Sequence, residues 1–258
     1  MFTPQELTTL TDAVRVAVVR AGGHAARTWQ DSVAVTLKDV RDPVTQTDKA
    51  IEDELRVALG VLQPEAGFIV EEGQNSEPRP LMWVIDPIDQ TKNFVGHVPL
   101  FYVQVALVEN GEPLLAVIYN PVSEQVFTAY RGGAATLNGA VLNVKPKATL
   151  AECIVDFDLG GVEGSEFKMD AFAAVRAEAY RVRVSGGAYA PYLLTGGIDA
   201  FVVLNQTTKD VDQFPRMGLI RAAGLQYERT DVGGLTLYLA GPQPITERLL
   251  ALIESALP

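Results

Sequence analysis

Five carboxylates stand at the ends of predicted elements, where a folded chain can gather reactive groups: Asp48, Glu71, Asp86, Asp89 and Asp212. Hard divalent cations such as Mg2+ take oxygen ligands and keep some of their waters, so a few carboxylates with open positions can hold ions against a substrate phosphate. Two ions held in this way activate an attacking water and stabilise the leaving oxygen of an in-line displacement. Spacing alone does not single this set out, because the chain carries 32 Asp and Glu residues. Taken one at a time, each acid also has a plainer role. Asp48 reads as a helix-start cap, and Glu71 or Glu72 as a solvated strand-end charge. Asp86-Pro87 reads as an ordinary turn, and Asp212 as another helix-start acid.

The elements that would position these groups follow from local pattern. Thr3-Pro4-Gln5-Glu6 reads as a helix start: a Thr cap, Pro at the first position and Glu placed to bond back to the cap. Leu7, Leu10, Val14, Ala17 and Ala21 continue at helical spacing, and Gly22-Gly23 weakens the helix near its end. A polar loop through Lys38, Asp39 and Arg41 leads to Thr45-Gln46-Thr47-Asp48. There a second amphipathic helix opens, marked by Ile51, Leu55, Leu59 and Leu62. Gly67–Glu72 and Leu81–Ile85 are short apolar runs that end in acids, so both read as strands whose ends carry the chemistry. Asn110-Gly111, flanked by apolar runs, is a strong hairpin signal, and Asn138-Gly139 marks a second tight turn.

After Lys145-Pro146-Lys147 the pattern becomes alternating. It predicts a strand at Cys153–Phe157, a helix at Glu166–Ala179, a strand at Arg181–Val184, a helix at Ala188–Thr195 and a strand at Ala200–Leu204. A helix at Asp212–Ala223, strands at Leu225–Glu228 and Leu235–Leu239, and a final helix from Pro244 follow. The fold class expected is α/β (α+β), with an N-terminal α+β domain over residues 1–147 and an α/β domain over 148–258.

With 258 residues, 48% of them hydrophobic, the chain can bury a sizeable core. A formal charge of -11 argues against broad contact with nucleic acid or an anionic membrane. The single cysteine, Cys153, excludes an internal disulfide and suits a reducing compartment. The first residues lack the basic-then-apolar order of a signal peptide, and Pro191, Gly196-Gly197 and Asp199 interrupt the most apolar stretch. The expectation is a cytoplasmic protein. His24 and His97 have no partner pattern and read as structural.

Three blocks, in order, narrow the chemistry: DPVTQTD at Asp42–Asp48, GFIVEE at Gly67–Glu72 and WVIDPIDQTKNF at Trp83–Phe94. With them the chain resembles the inositol monophosphatase family. These are lithium-sensitive, Mg2+-dependent phosphomonoesterases, with relatives acting on fructose bisphosphate, histidinol phosphate and phosphoadenosine nucleotides. RVRVSGGA at Arg181–Ala188 and VDQFPRMGLIRAAG at Val211–Gly224 are weaker matches.

The resemblance implies a layered αβαβα sandwich of the inositol monophosphatase/fructose-1,6-bisphosphatase type, usually a homodimer. It implies two or three Mg2+ ions, with Mn2+ an alternative and Li+ an inhibitor. Glu71 would bind one metal, Asp86 would be shared between two, the carbonyl of Ile88 would join the first site, and Asp89 with Asp212 would complete the second. Thr91 and Asp48 would orient the attacking water, with Glu71 beside them. The N–H groups of Gln90 and Thr91 would hold phosphate oxygens, and Gly186, Gly187 and Ala188 would border the substrate.

Two departures stand out. Gln90 occupies the position of the family's glycine; a left-handed backbone there would cost a non-glycine residue ~1–2 kcal/mol. The acid that contacts substrate hydroxyls in inositol-type enzymes has no clear equivalent, which points away from inositol phosphate. The expected activity is hydrolysis of a small phosphate monoester: inositol phosphate-like, sugar, polyol, histidinol or nucleotide phosphate. The alternative is a member that binds phosphate esters, or regulates, without efficient turnover.

Overall fold

The computed structural model describes residues 2–29, 35–39, 42–160, 165–185, 187, 189–205 and 210–256. The chain forms two compact units, Met1–Val141 with Lys209–Ala222, and Leu142–Thr208 with Ala223–Pro258. The segment carrying Asp212 therefore belongs with the first unit.

Helix α1 (Pro4–Thr28) opens on a Thr3 cap whose side chain accepts from Glu6 N–H, while Glu6 bonds back to Thr3. It runs straight through Gly22-Gly23, contrary to the weakening expected there. The reason is packing: a Cβ on Gly22 would meet the Tyr119 ring at 2.6 Å, so glycine lets the helix lie close against the sheet. Strands β1 (Val35–Asp39) and β2 (Asp42–Thr45) pair antiparallel, so Lys38 and Asp39 lie in a strand rather than in the expected loop; Arg41 lies outside the described residues.

Helix α2 (Gln46–Leu62) follows, then β3 (Gly67–Val70), β4 (Leu81–Asp89), α3 (Thr91–Val95), β5 (Tyr102–Glu109), β6 (Glu112–Asn120) and β7 (Gln125–Tyr130). Two short strands, β8 (Thr136–Leu137) and β9 (Ala140–Val141), close the sheet. The order is β3-β4-β5-β6-β7-β8-β9, with β3 and β4 parallel and the remaining pairs antiparallel. Both Asn-Gly turns are left-handed at each residue, Asn110 at φ 52° with Gly111 at 83° and Asn138 at 49° with Gly139 at 84°, as two-residue hairpin turns require.

In the second unit β10 (Ile154–Asp158), α4 (Ser165–Glu178), β11 (Arg181–Arg183), α5 (Tyr189–Thr195) and β12 (Ala200–Asn205) alternate as expected. Helix α6 (Asp210–Ala222) returns to the first unit. Strands β13 (Gln226–Val232) and β14 (Leu235–Gly241) and helix α7 (Gln243–Ser255) complete the second. Its sheet runs β11-β10-β12-β14-β13, with β10 parallel to both neighbours. Cys153 is buried ahead of β10, and burial pushes its thiol up to about 12, so it behaves as a core residue. Among the described residues, no helix is long and apolar enough to cross a membrane.

Side-chain alternation on β4 and β5 sends two sets of residues to opposite faces of the first sheet. Trp83, Ile85, Val103, Val105 and Leu107 join the core under α1 and α2. Val84, Ala106 and Val108 pack with Val211 and Phe214 of α6. Asp86 continues the second set, so it faces α6.

Candidate active site

Asp86 lies where β4 stops being regular. The pairing of β4 with β5 slips between Asp86 and Asp89, and Pro87, which has no N–H to give a ladder, sits in that irregularity. Asp86-Pro87, which by itself would read as a turn, is thus a bulge inside a strand that continues to Asp89, and both acids come to one site. Asp212 arrives from the first turn of α6. One carboxylate oxygen of each of Asp86, Asp89 and Asp212 lies within 4.8 Å of the others. Glu71 follows the end of β3. It is not one of this trio, but its charge is near enough to act on Asp48, Asp86 and Asp89.

The electrostatics are unfavourable without a cation. Asp86 is 1% exposed, and neither of its carboxylate oxygens has a hydrogen-bond partner among the described residues. Burial, followed by the charges of Glu71, Asp89 and Asp212, pushes its carboxyl well above the ordinary range. Its neighbour across the ladder, Gln104, is fully buried, and neither amide atom has a partner among the described residues. Buried polar groups are ordinarily satisfied, so this concentration is unusual. Oxygen-only donors, one of them buried without a proton donor, fit a hard divalent cation.

Asp89 differs. Burial raises its carboxyl, and Arg216 opposes that rise. One guanidinium nitrogen of Arg216, Nη2, lies 3.0 and 2.9 Å from the two Asp89 oxygens, and both side chains are almost wholly buried. The Gln90 amide approaches Asp89 Oδ1 at 3.5 Å.

Asp48 occupies the third position of α2. Thr45 caps that helix and donates to Asp48 through its N–H, at 2.9 Å, and through its hydroxyl. Burial pushes the Asp48 carboxyl up, opposed by those Thr45 bonds. The Thr91 hydroxyl, with one proton to give, stands 3.4 Å from Asp48 Oδ1 and 3.1 Å from the Ile88 carbonyl. Asp48 and Thr91 thus meet as the motifs imply.

Gln90 has φ 71° and ψ 49°, the left-handed conformation that the glycine at this position would adopt freely. Gly187 is buried at φ 117° in the second unit; Gly186 and Ala188 lie outside the described residues. Next to that loop, Ser185 donates its N–H and hydroxyl to the buried carboxylate of Asp156.

Three contributors escaped the reading of the sequence. Arg216 comes one helical turn after Asp212, a spacing that puts both on one face. Glu52 comes one turn after Asp48 and accepts from Glu72 N–H at 2.8 Å, holding the turn that carries Glu71. Gln104 is a polar residue within the otherwise apolar run Val103–Val108, a signal visible in the sequence.

Residues 6–255 match the inositol monophosphatase family. The chain belongs to that family. It is 31% identical to the inositol-1-monophosphatase of Mesorhizobium japonicum over 257 residues, covering 93% of this chain and 94% of that protein. It is also 31% identical to the Nus factor SuhB of Vibrio cholerae over 235 residues, covering 88% and 86%. The crystal structure of the extragenic suppressor protein suhB from Bartonella henselae superposes with a TM-score of 0.87 at 26% identity, covering 95% of this chain and 98% of that one. The expected mixed α/β class and family are thus found. This inositol monophosphatase family member is a phosphoric monoester hydrolase of the metal-dependent type, acting on small phosphate esters.

Proposed function

We propose that this enzyme hydrolyses a small sugar, polyol, amino-alcohol or nucleotide phosphate with Mg2+, and that inositol phosphate is not its preferred substrate. The buried Asp86 carboxylate, without a donor among the described residues and close to Asp89, Asp212 and Glu71, is the observation that carries the metal assignment. By the family pattern, Asp86, Asp89, Asp212, Glu71 and the Ile88 carbonyl are the groups assigned to hold metal, with Asp89 already engaged by Arg216. Bound Mg2+ would supply Lewis acidity, lowering the pKa of water and neutralising phosphate charge.

The protein's own groups have separate tasks. Thr91 and Asp48 orient the attacking water, and Asp48 accepts its proton through the Thr91 hydroxyl, with Glu71 assisting. Because Asp48 is buried and its carboxyl is raised, it is a better base than a solvated aspartate. The N–H groups of Gln90 and Thr91 hold phosphate oxygens, and the Gln90 side chain narrows the range of esters accepted. Residues 186–188 are assigned to border the organic part of the substrate. A cytoplasmic location and no binding of nucleic acid or membrane belong to the same reading, supported by the charge of -11 and the single cysteine; a homodimer belongs to it through the family alone.

Phosphate release from a panel of such esters with Mg2+ or Mn2+ tests the proposal. Turnover of at least one ester, inhibited by Li+ and absent in Asp86→Asn, is expected. No release from any ester with either metal would overturn it.

A regulatory role is the second reading, favoured by the relatives named Nus factor SuhB and by the departure at Gln90. Tight calorimetric binding of phosphate esters without hydrolysis would select it.

A further inference from the structure

We infer that Arg216 is a built-in cation that occupies the metal-binding notch of Asp89, so that the acid cluster of this chain binds one divalent ion rather than two or three. The inference rests on the metal-site reading above and concerns how many ions that site takes.

The notch between the two oxygens of a carboxylate is where a chelated cation sits. In Asp89 it is filled by Arg216 Nη2, at 3.0 and 2.9 Å from the two oxygens. The side chains of Arg216 and Asp89 are 6% and 7% exposed, so neither can turn to solvent if the other is taken away. An arginine side chain stays charged at every pH at which the protein is folded. A divalent ion that claimed Asp89 would take that carboxylate's charge from the guanidinium and set a second, larger positive charge beside it in a buried place, an unfavourable arrangement.

Asp86 presents the opposite case. It has no donor among the described residues, and Asp212 and Glu71 lie close to it. The structure therefore sorts two of the acids into different kinds: Asp89 is already neutralised from within the chain, whereas Asp86, beside Asp212 and Glu71, has no donor among the described residues and remains the place for an ion. The placement of Arg216 follows from the fold. Helix α6 lies on the sheet face that Asp86 shares with Val84, and Arg216 is one turn beyond Asp212 on that helix.

The test is metal stoichiometry on the full chain, read by the free Mn2+ signal in electron paramagnetic resonance and by Mg2+ calorimetry. Wild type is expected to bind one equivalent. Arg216→Met, which keeps much of the buried volume and removes the charge, is expected to bind a further ion at least ~100-fold more tightly than wild type binds any second one. A folded Arg216→Met that still binds one equivalent would overturn the inference. So would a wild type that binds two, with the second lost in Asp89→Asn, a result that stands even if the Arg216 variant does not fold. Binding that persists in Asp86→Asn would instead refute the metal-site reading itself. An arginine serving only to hold the fold would change stability and leave the stoichiometry alone.

Discussion

Replacing Asp86 by Asn should move activity and stability in opposite directions. Asp86 is 1% exposed, lacks hydrogen-bond partners among the described residues, and is pushed up by burial and by Glu71, Asp89 and Asp212. Keeping such a carboxylate ionised costs on the order of several kcal/mol. Asparagine has the same size, carries no charge, and can donate its amide protons to the neighbouring acids. In chelator at neutral pH the variant should therefore be more stable than wild type by ~1–3 kcal/mol, with roughly 2–4 °C of melting temperature for each.

Saturating Mg2+ should close or reverse the gap, because a ligand at 100 times its dissociation constant adds ~2.7 kcal/mol to wild type alone. The pH dependence has a definite sign. A carboxyl raised above its ordinary 3.8 is protonated first in the folded state. Its penalty therefore fades as pH falls through the raised value towards 3.8, and returns as pH rises. The advantage of the variant should shrink along the same path. Denaturant unfolding with chelator and with Mg2+, at several pH values, reads both effects alongside phosphate release. A variant less stable than wild type in chelator, or one that still gains stability from Mg2+, would refute the reasoning.

Three further outcomes follow from particular contacts. Thr91→Ala should lower phosphate release by ~100-fold or more while calorimetric Mg2+ binding persists, because the hydroxyl acts on the water and proton rather than on the ion; unchanged turnover would remove Thr91 from the chemistry. Gln90→Gly should relieve ~1–2 kcal/mol of left-handed strain and give back ~0.5–1 kcal/mol in chain entropy. It should therefore melt at the same temperature or slightly higher and accept a wider ester panel; a clear fall in melting temperature would count against the strain seen at φ 71°. Gly22→Val should destabilise the chain by ~1–3 kcal/mol, since its Cβ would meet the Tyr119 ring at 2.6 Å; a melting curve coincident with wild type would show that α1 can shift.

The sequence was most legible where an element is specified by its own neighbours. Thr3 with Glu6 forms the capping box read for α1, and the start of α2 was legible at Asp48, although the cap itself is Thr45 and Asp48 lies in the first turn. Asn110-Gly111 and Asn138-Gly139 make the left-handed turns that their side chains tolerate. Local reading went astray where a distant segment decides. Gly22-Gly23 reads as a weak point in a helix until Tyr119 is seen to need the space. Lys38 and Asp39 read as loop until β2 pairs with them. Asp86-Pro87 alone reads as a turn, although the ladder to β5 on either side makes it a bulge.

The sequence by itself determined the family and pointed to the acids and Thr91, because DPIDQT and its companion blocks place chemistry-bearing residues at short, recognisable spacings. Only the tertiary structure decided how those acids differ from one another. Asp86 and Asp89 are three residues apart and chemically identical. Yet Asp89 meets a buried arginine 127 positions later in the chain, while Asp86 faces Gln104 and further acids with no donor among the described residues. A carboxylate's charge state and its readiness for a cation depend on burial and on the sign of whatever packs against it. For these two residues, both are set by the register of β4 on β5 and by where α6 crosses the sheet.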